Sequence, residues 1–209
     1  MTTKEQIAQA RIARMGKNTS EALSRASVGV AGLGGLGSHI AMALARMGVG
    51  RMVLADFDRV ELANLHRQQY SLSHIGQWKT DAIVEQLRAV DPYLLYEPHR
   101  IRVTPENLPL LFGGCQILCE ALDSPEQKAM LVQNALAFLP ETTVVSGCGM
   151  AGTGPANPIQ TRRIMNRLYL CGDGRTELER EGSLAASRVQ ICAAHQANAV
   201  LRLLLGKMP

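Results

Sequence analysis

Apolar positions along this chain fall into two rhythms. Short, nearly continuous apolar runs occur at residues 27–31, 51–55, 96–103, 115–121 and 142–146, and each predicts a buried strand. Between them lie stretches whose apolar residues recur at helical spacing: 36–47, 79–90, 105–112 and 125–139. Gly48 sits where a helix C-cap is needed, Asp91-Pro92 stops the helix over 79–90, and Pro125 stands near the first position of its helix. Two short helices, 5–15 and 19–25, precede the first strand. After Ser146 the pattern changes. Residues 147–158 are rich in Gly and Pro and read as loop. Two short strands follow at 161–164 and 167–170, then a charged loop at 172–183. A long Ala- and Leu-rich helix at 185–205 ends at Gly206. Strands alternating with helices predict a doubly wound, mainly parallel sheet with helices on both faces, plus an irregular C-terminal extension.

The first strand runs into Gly32-Leu33-Gly34-Gly35-Leu36-Gly37-Ser38. Bare backbone at Gly32, Gly34, Gly35 and Gly37 can turn tightly and offer N–H groups to a phosphate at the start of the next helix. With its strand and helix, this is a Rossmann-like dinucleotide fingerprint. Asp56 lies 19 residues beyond Gly37 at the end of the second strand, where a carboxylate can bond a ribose hydroxyl. A dinucleotide fits these two features alone, so an NAD-dependent oxidoreductase is one reading.

Composition narrows the field. The chain has 209 residues, 46% of them hydrophobic and only 4% aromatic, which suits one domain packed through Gly, Ala, Val and Leu. The net charge of +4 is mild and spread out, without the basic block of a nucleic-acid binder. Five irregularly spaced cysteines, Cys115, Cys119, Cys148, Cys171 and Cys192, argue against a disulfide framework and for a reducing compartment. There is no Cys-x-x-Cys pair, which argues against structural zinc. With no apolar leader or membrane-length run, a cytoplasmic location is expected.

The glycine turn, Asp56 and Asp123 all fall at predicted strand ends and so share one edge of the sheet. The polar connection 58–69 leaves the same edge, and Lys79 opens the helix after it. Added cations and a second carboxylate suit a triphosphate, whose charge must be neutralised as pyrophosphate departs, better than a dinucleotide. The ordered set Gly32-Leu-Gly-Gly-Leu-Gly37-Ser38, Asp56-Phe-Asp58-x-Val60, Asn64-Leu-x-Arg67-Gln68, Gly76-x-x-Lys79 and Asp123 resembles the ThiF/MoeB superfamily of ubiquitin-activating-enzyme-like proteins. The closing runs Tyr169-x-Cys171-Gly-Asp-Gly174 and Ile191-Cys-Ala-Ala-His-Gln196 resemble its shorter ThiF-type members of thiamine biosynthesis.

That resemblance implies an arm at 1–26, a nucleotide-binding core at 27–146 and a carrier-facing part at 147–209. It implies ATP and Mg²⁺ as cofactors. Gly34 and Gly35 would approach the phosphates and Asp56 the ribose. Asn64, Arg67 and Lys79 would contact the phosphates with support from Gln68, and Asp123 would bind Mg²⁺. Asn64 also reads as a cap, and Asp58 as a cap or turn residue or as part of the nucleotide site. Arg14 resembles the arginine that family members insert into the neighbouring subunit's ATP site, with Arg11 as its competitor, so a homodimer is implied. The expected activity is adenylation of the C-terminal carboxylate of a small ubiquitin-like sulfur carrier protein ending in Gly-Gly. A carrier of the molybdopterin or cysteine pathway is the alternative, and a non-catalytic module that docks such a protein is a third reading. Some relatives form a covalent link from a cysteine to the carrier; Cys171 is the first candidate and Cys148 the second. His39, His66 and His195 read as structural.

Overall fold

The computed structural model describes residues 2–209. Its strands are β1 (Ser27–Ala31), β2 (Arg51–Asp56), β3 (Leu95–Arg100), β4 (Ile117–Glu120), β5 (Thr143–Gly147), β6 (Gln160–Met165) and β7 (Leu168–Gly172). The helices are α1 (Lys4–Met15), α2 (Lys17–Ser24), α3 (Gly35–Met47), α4 (Lys79–Val90), α5 (Leu108–Phe112), α6 (Pro125–Phe138), α7 (Leu178–Glu181) and α8 (Ala186–Leu204). The strands form one seven-stranded sheet in the order β3-β2-β1-β4-β5-β7-β6. Every pairing is parallel except β6 with β7. This is an α/β, Rossmann-like open sheet.

The side-chain period of two divides the core into two layers. Val28, Val30, Met52, Leu54, Ile117 and Cys119 face a layer shared with α3, α4 and α8. Val53, Leu118, Val144 and Leu168 face the layer that holds Leu108, Phe112 and Leu131 of α5 and α6. Gly29 lies where Phe112 takes all the space: a Cβ there would sit 2.5 Å from the Phe112 ring.

The strand order reverses beside β1, which pairs β2 on one side and β4 on the other. The chain ends of β2, β1 and β4 therefore open one crevice between diverging connections, the expected place for a ligand.

The C-terminal extension joins the sheet through its two strands, β7 pairing parallel with β5 and β6 closing the edge as a hairpin strand. The helix over 105–112 begins one turn later, at Leu108. Asn107 bonds the Thr104 N–H and the Arg102 carbonyl and spends residues 104–107 in a turn. The charged loop at 172–183 also contains the single-turn helix α7.

Candidate active site

The glycine loop is held by contacts only glycine permits. Gly32 has φ of +89° and donates to the Ala55 carbonyl at 2.8 Å; a Cβ on it would strike the Ala121 carbonyl. A Cβ on Gly37 would lie 1.8 Å from the Gly32 oxygen, so the turn closes against its own helix. Gly34 is the N-cap of α3, and no side chain caps the helix. Its first-turn N–H groups and the positive end of its dipole face the crevice without a carboxylate of the chain's own.

Asp56 ends β2 and is 8% exposed. One carboxylate oxygen accepts from the Leu33 N–H at 2.6 Å, the other from the Asp58 N–H at 2.8 Å. Burial pushes its carboxyl above the ordinary range; the Lys79 charge and the two N–H donors oppose the shift without cancelling it. Asp56 thus fixes the loop and keeps lone pairs for a hydroxyl.

The connection from β2 to α4 is folded back on itself. Val60 donates to the Gln77 carbonyl, Gly76 donates to the Val60 carbonyl, and Arg59 bridges antiparallel to Trp78. This brings the Lys79 ammonium 2.8 Å from the Asp58 carboxylate, with the lysine side chain only 8% exposed. Asp58 therefore has a definite partner: it pairs the cation of the candidate phosphate site. Asn64 ends a 3-10 turn (Leu62–Asn64), and its Oδ1 accepts from the Glu61 N–H, so the capping role exists. The Ser38 hydroxyl joins the Gln69 N–H to the Gly34 carbonyl, and Tyr70 donates to the Leu33 carbonyl at 2.7 Å. These bonds bring the connection against the glycine loop. A Cβ on Gly35 would lie 3.7 Å from the Arg67 stem, and one on Gly34 the same distance from Gln68 Nε2. Among the described residues the Arg67 guanidinium meets only the Ala63 carbonyl and the His66 ring, and Gln68 Oε1 is buried without a partner. His39 Nε2 donates to the Arg67 carbonyl at 3.1 Å, a structural contact that ties α3 to the connection, and burial lowers its pKa.

Asp123 is exposed, just beyond β4. The turn that carries it is anchored by groups the sequence reading passed over. Glu120 is wholly buried. It accepts from the Leu122 N–H at 2.7 Å, the Ser146 hydroxyl at 2.5 Å and the Lys128 ammonium at 3.0 Å. Lys128 also donates to the Leu122 carbonyl. The signal was a lone carboxylate in an apolar run with a lysine one turn into the next helix.

The two arginines of the arm separate clearly. Arg11 donates to the Ala45 and Arg46 carbonyls at the end of α3 and pairs with the buried Asp91 at 2.6 Å. Arg14 is exposed, and no ion pair engages it among the described residues. The cysteine order also changes. Cys171 is fully buried, contacts Thr161, and burial pushes its thiol to about 11. Cys148 is the exposed one, directly after β5 on the crevice edge. Cys171 was singled out for its place beside a loop; sheet pairing with β5 and β6 encloses it instead.

The arrangement fits a nucleotide triphosphate. The helix start is uncapped, two cations lie on one connection, a buried acid suits a ribose, and Gly34 and Gly35 leave space that a side chain would reduce. Asp123 is a single carboxylate, and no group of three or more His, Cys, Asp or Glu among the described residues forms a metal cage. That donor set suits Mg²⁺, which one carboxylate can hold together with phosphate oxygens and water. No helix among the described residues is long and apolar enough to cross a membrane.

Comparison with known proteins places the chain in a family. The chain is 36% identical over 115 residues to the adenylyltransferase and sulfurtransferase uba4 of Aspergillus terreus, covering 54% of this chain and 24% of that protein. It is 38% identical over 103 residues to adenylyltransferase and sulfurtransferase MOCS3 of Xenopus laevis, covering 49% and 23%. The matched stretch thus spans about a quarter of these relatives. The fold is similar to that of E. coli tRNA N6-threonylcarbamoyladenosine dehydratase, TcdA, in complex with ATP. The TM-score is 0.86 at 21% identity, covering 99% of this chain and 97% of that one. Residues 7–209 match the sequence model of the ThiF family, and the chain belongs to that family.

Proposed function

We propose that this protein uses ATP to adenylate the C-terminal carboxylate of a small ubiquitin-like sulfur carrier protein, releasing pyrophosphate. The observation that supports the reading is the β2–α4 connection, whose Arg67 stem lies against Gly35 in the first turn of the uncapped helix α3 and whose Asp58 pairs with Lys79. A redox enzyme has no need of those cations.

In the proposed reaction a carrier carboxylate oxygen attacks the α-phosphorus of ATP. A new P–O bond forms, the bond to the bridging α–β oxygen breaks, and pyrophosphate leaves with its electron pair. The carboxylate is already a nucleophile, so the protein's work is position and charge stabilisation. Asp56 orients the ribose. The α3 N–H groups with Arg67 and Lys79 take up charge that grows on the leaving oxygens. Asp123, held by the Glu120–Lys128 anchor, would hold Mg²⁺, which screens the phosphates when bound. Arg14 reaches a neighbouring subunit's site in a homodimer. The resemblance to shorter ThiF-type proteins favours a thiamine-pathway carrier; the same ATP site would serve a molybdopterin or cysteine carrier.

The test is ATP–pyrophosphate exchange with candidate Gly-Gly-ended carriers. Exchange should require a carrier and fall about 10²- to 10³-fold in Lys79→Ala. Normal ATP binding with no exchange on any such carrier would overturn the reading.

A further inference from the structure

Nothing in the sequence assigned a role to Arg188 or Asp173, yet together they form the most enclosed ion pair among the described residues, with side chains 4% and 6% exposed. Arg188 lies in the first turn of α8. Its Nη2 donates to Asp173 at 2.6 Å, its Nε to the Ala151 carbonyl at 3.1 Å, and its Nη1 to the carbonyls of Gly154 and Pro155. One guanidinium therefore holds three backbone carbonyls of the 148–158 loop and the carboxylate at the head of the 173–184 loop. Asp173 also accepts from the N–H groups of Arg175 and Thr176 and from the Thr176 hydroxyl. The loops are joined again through Gly152 N–H to the Ser183 carbonyl and Asp173 N–H to the Gly149 carbonyl.

These loops leave β5 and β7, which run parallel to β1 and β4, so they stand on the crevice edge. Asp56 assigns the ribose to the β2 side. The opposite lip, over β4, β5 and β7, is the one left for an incoming chain. Two contacts connect that lip to the phosphate loop. A Cβ on Gly35 would meet Val189, the residue after Arg188, at 3.0 Å, and one on Gly147 would meet Leu36 at 2.4 Å.

We propose that the Arg188–Asp173 pair is a positioning clamp that fixes both loops as the channel for the extended C-terminal tail of the acyl substrate. The proposal rests on the adenylation reading. Arg188 does not touch the reacting atoms; it holds the walls. Three N–H groups on a lysine cannot replace the fork that reaches four acceptors.

The test is Arg188→Lys in the full-length protein, which keeps the charge and leaves Asp173 paired. Carrier KM in the exchange assay should rise about tenfold or more while ATP KM and kcat stay within about twofold. Amides of 149–156 should exchange hydrogen at least about tenfold faster, with those of the glycine loop unchanged. The double variant Arg188→Met/Asp173→Asn removes both charges, leaves no buried ion unpaired, and should show the same split. An unchanged carrier KM, a parallel rise in ATP KM, or full protection of 149–156 in either folded variant would overturn the clamp. If the parent protein shows no carrier-dependent exchange, the adenylation reading fails and the channel role with it. Faster exchange at 149–156 would then still identify a clamp on these loops.

Discussion

Arg11 and Arg14 are one turn apart on α1 and should behave oppositely when replaced by alanine. Asp91 has 3% of its side chain exposed and Arg11 17%. Breaking a buried pair by removing one partner costs about 3–5 kcal/mol. Here the arginine keeps some water and Asp91 retains the Tyr93 N–H at 2.8 Å, so about 2–3 kcal/mol is the better figure. The Ala45 and Arg46 carbonyls would also lose a cation at the C-terminal end of α3, adding about 0.5–1 kcal/mol. The sum is about 3 kcal/mol, which lowers Tm by roughly 6–12 °C for a chain of this size. Arg14→Ala removes no contact and should stay within about 0.5 kcal/mol of the parent. If Arg14 serves a neighbouring subunit's site as proposed, exchange activity should nonetheless fall about 10²-fold, because the variant would withdraw a charge from that site. Thermal melts and the exchange assay read the two effects separately. Mixing Arg14→Ala with Lys79→Ala subunits should restore a fraction of active sites. The reasoning is refuted if Arg11→Ala melts within about 2 °C of the parent. It is refuted equally if Arg14→Ala loses stability, or if demonstrably mixed dimers recover nothing.

Asp56 gives a pH signature. Its folded pKa lies above the ordinary carboxylate value, so as pH falls the folded protein takes up the proton first. In the window between the folded value and the ordinary value of about 3.9, this group's contribution to stability rises while ATP affinity falls. Asp56→Asn should remove that pH term from calorimetric ATP titrations and weaken affinity about tenfold at neutral pH; a variant with the parental pH profile would count against it. For the thiols, maleimide should label Cys148 alone in the native protein, and Cys148→Ser should abolish labelling. Native labelling of Cys171 would contradict its burial.

Much of the fold was legible because the apolar rhythm is clean. The predicted span of α4 matches its observed bounds, β1 matches too, and α8 differs by one residue at each end. The glycine loop was legible because only glycine tolerates its turn and close approaches. Three side-chain roles were not legible. Arg11 competed with Arg14 for a role at a neighbouring subunit's site, since nothing in the sequence says that Asp91 ends up beneath it. Arg188 drew no role at all, because the carbonyls it binds lie more than thirty residues away. Cys171 was judged by the loop beside it in sequence, whereas its environment is set by strands beside it in space. Local pattern reports burial along one element; it does not report which distant backbone a long side chain will meet.

The interior position of β1, between β2 and β4, has a consequence for how the chain is made. Residues 27–100 can assemble β1, β2 and β3 from one contiguous stretch. The other edge of β1 stays open until Ile117–Glu120 arrive. During synthesis, then, Val28–Ala31 presents unpaired backbone on an apolar strand, the configuration that recruits other chains. A fragment ending before residue 117 would keep the glycine loop, Asp56, Arg67 and Lys79 together on paper. In solution β1 would be an adhesive edge, and the fragment would precipitate before it bound a nucleotide.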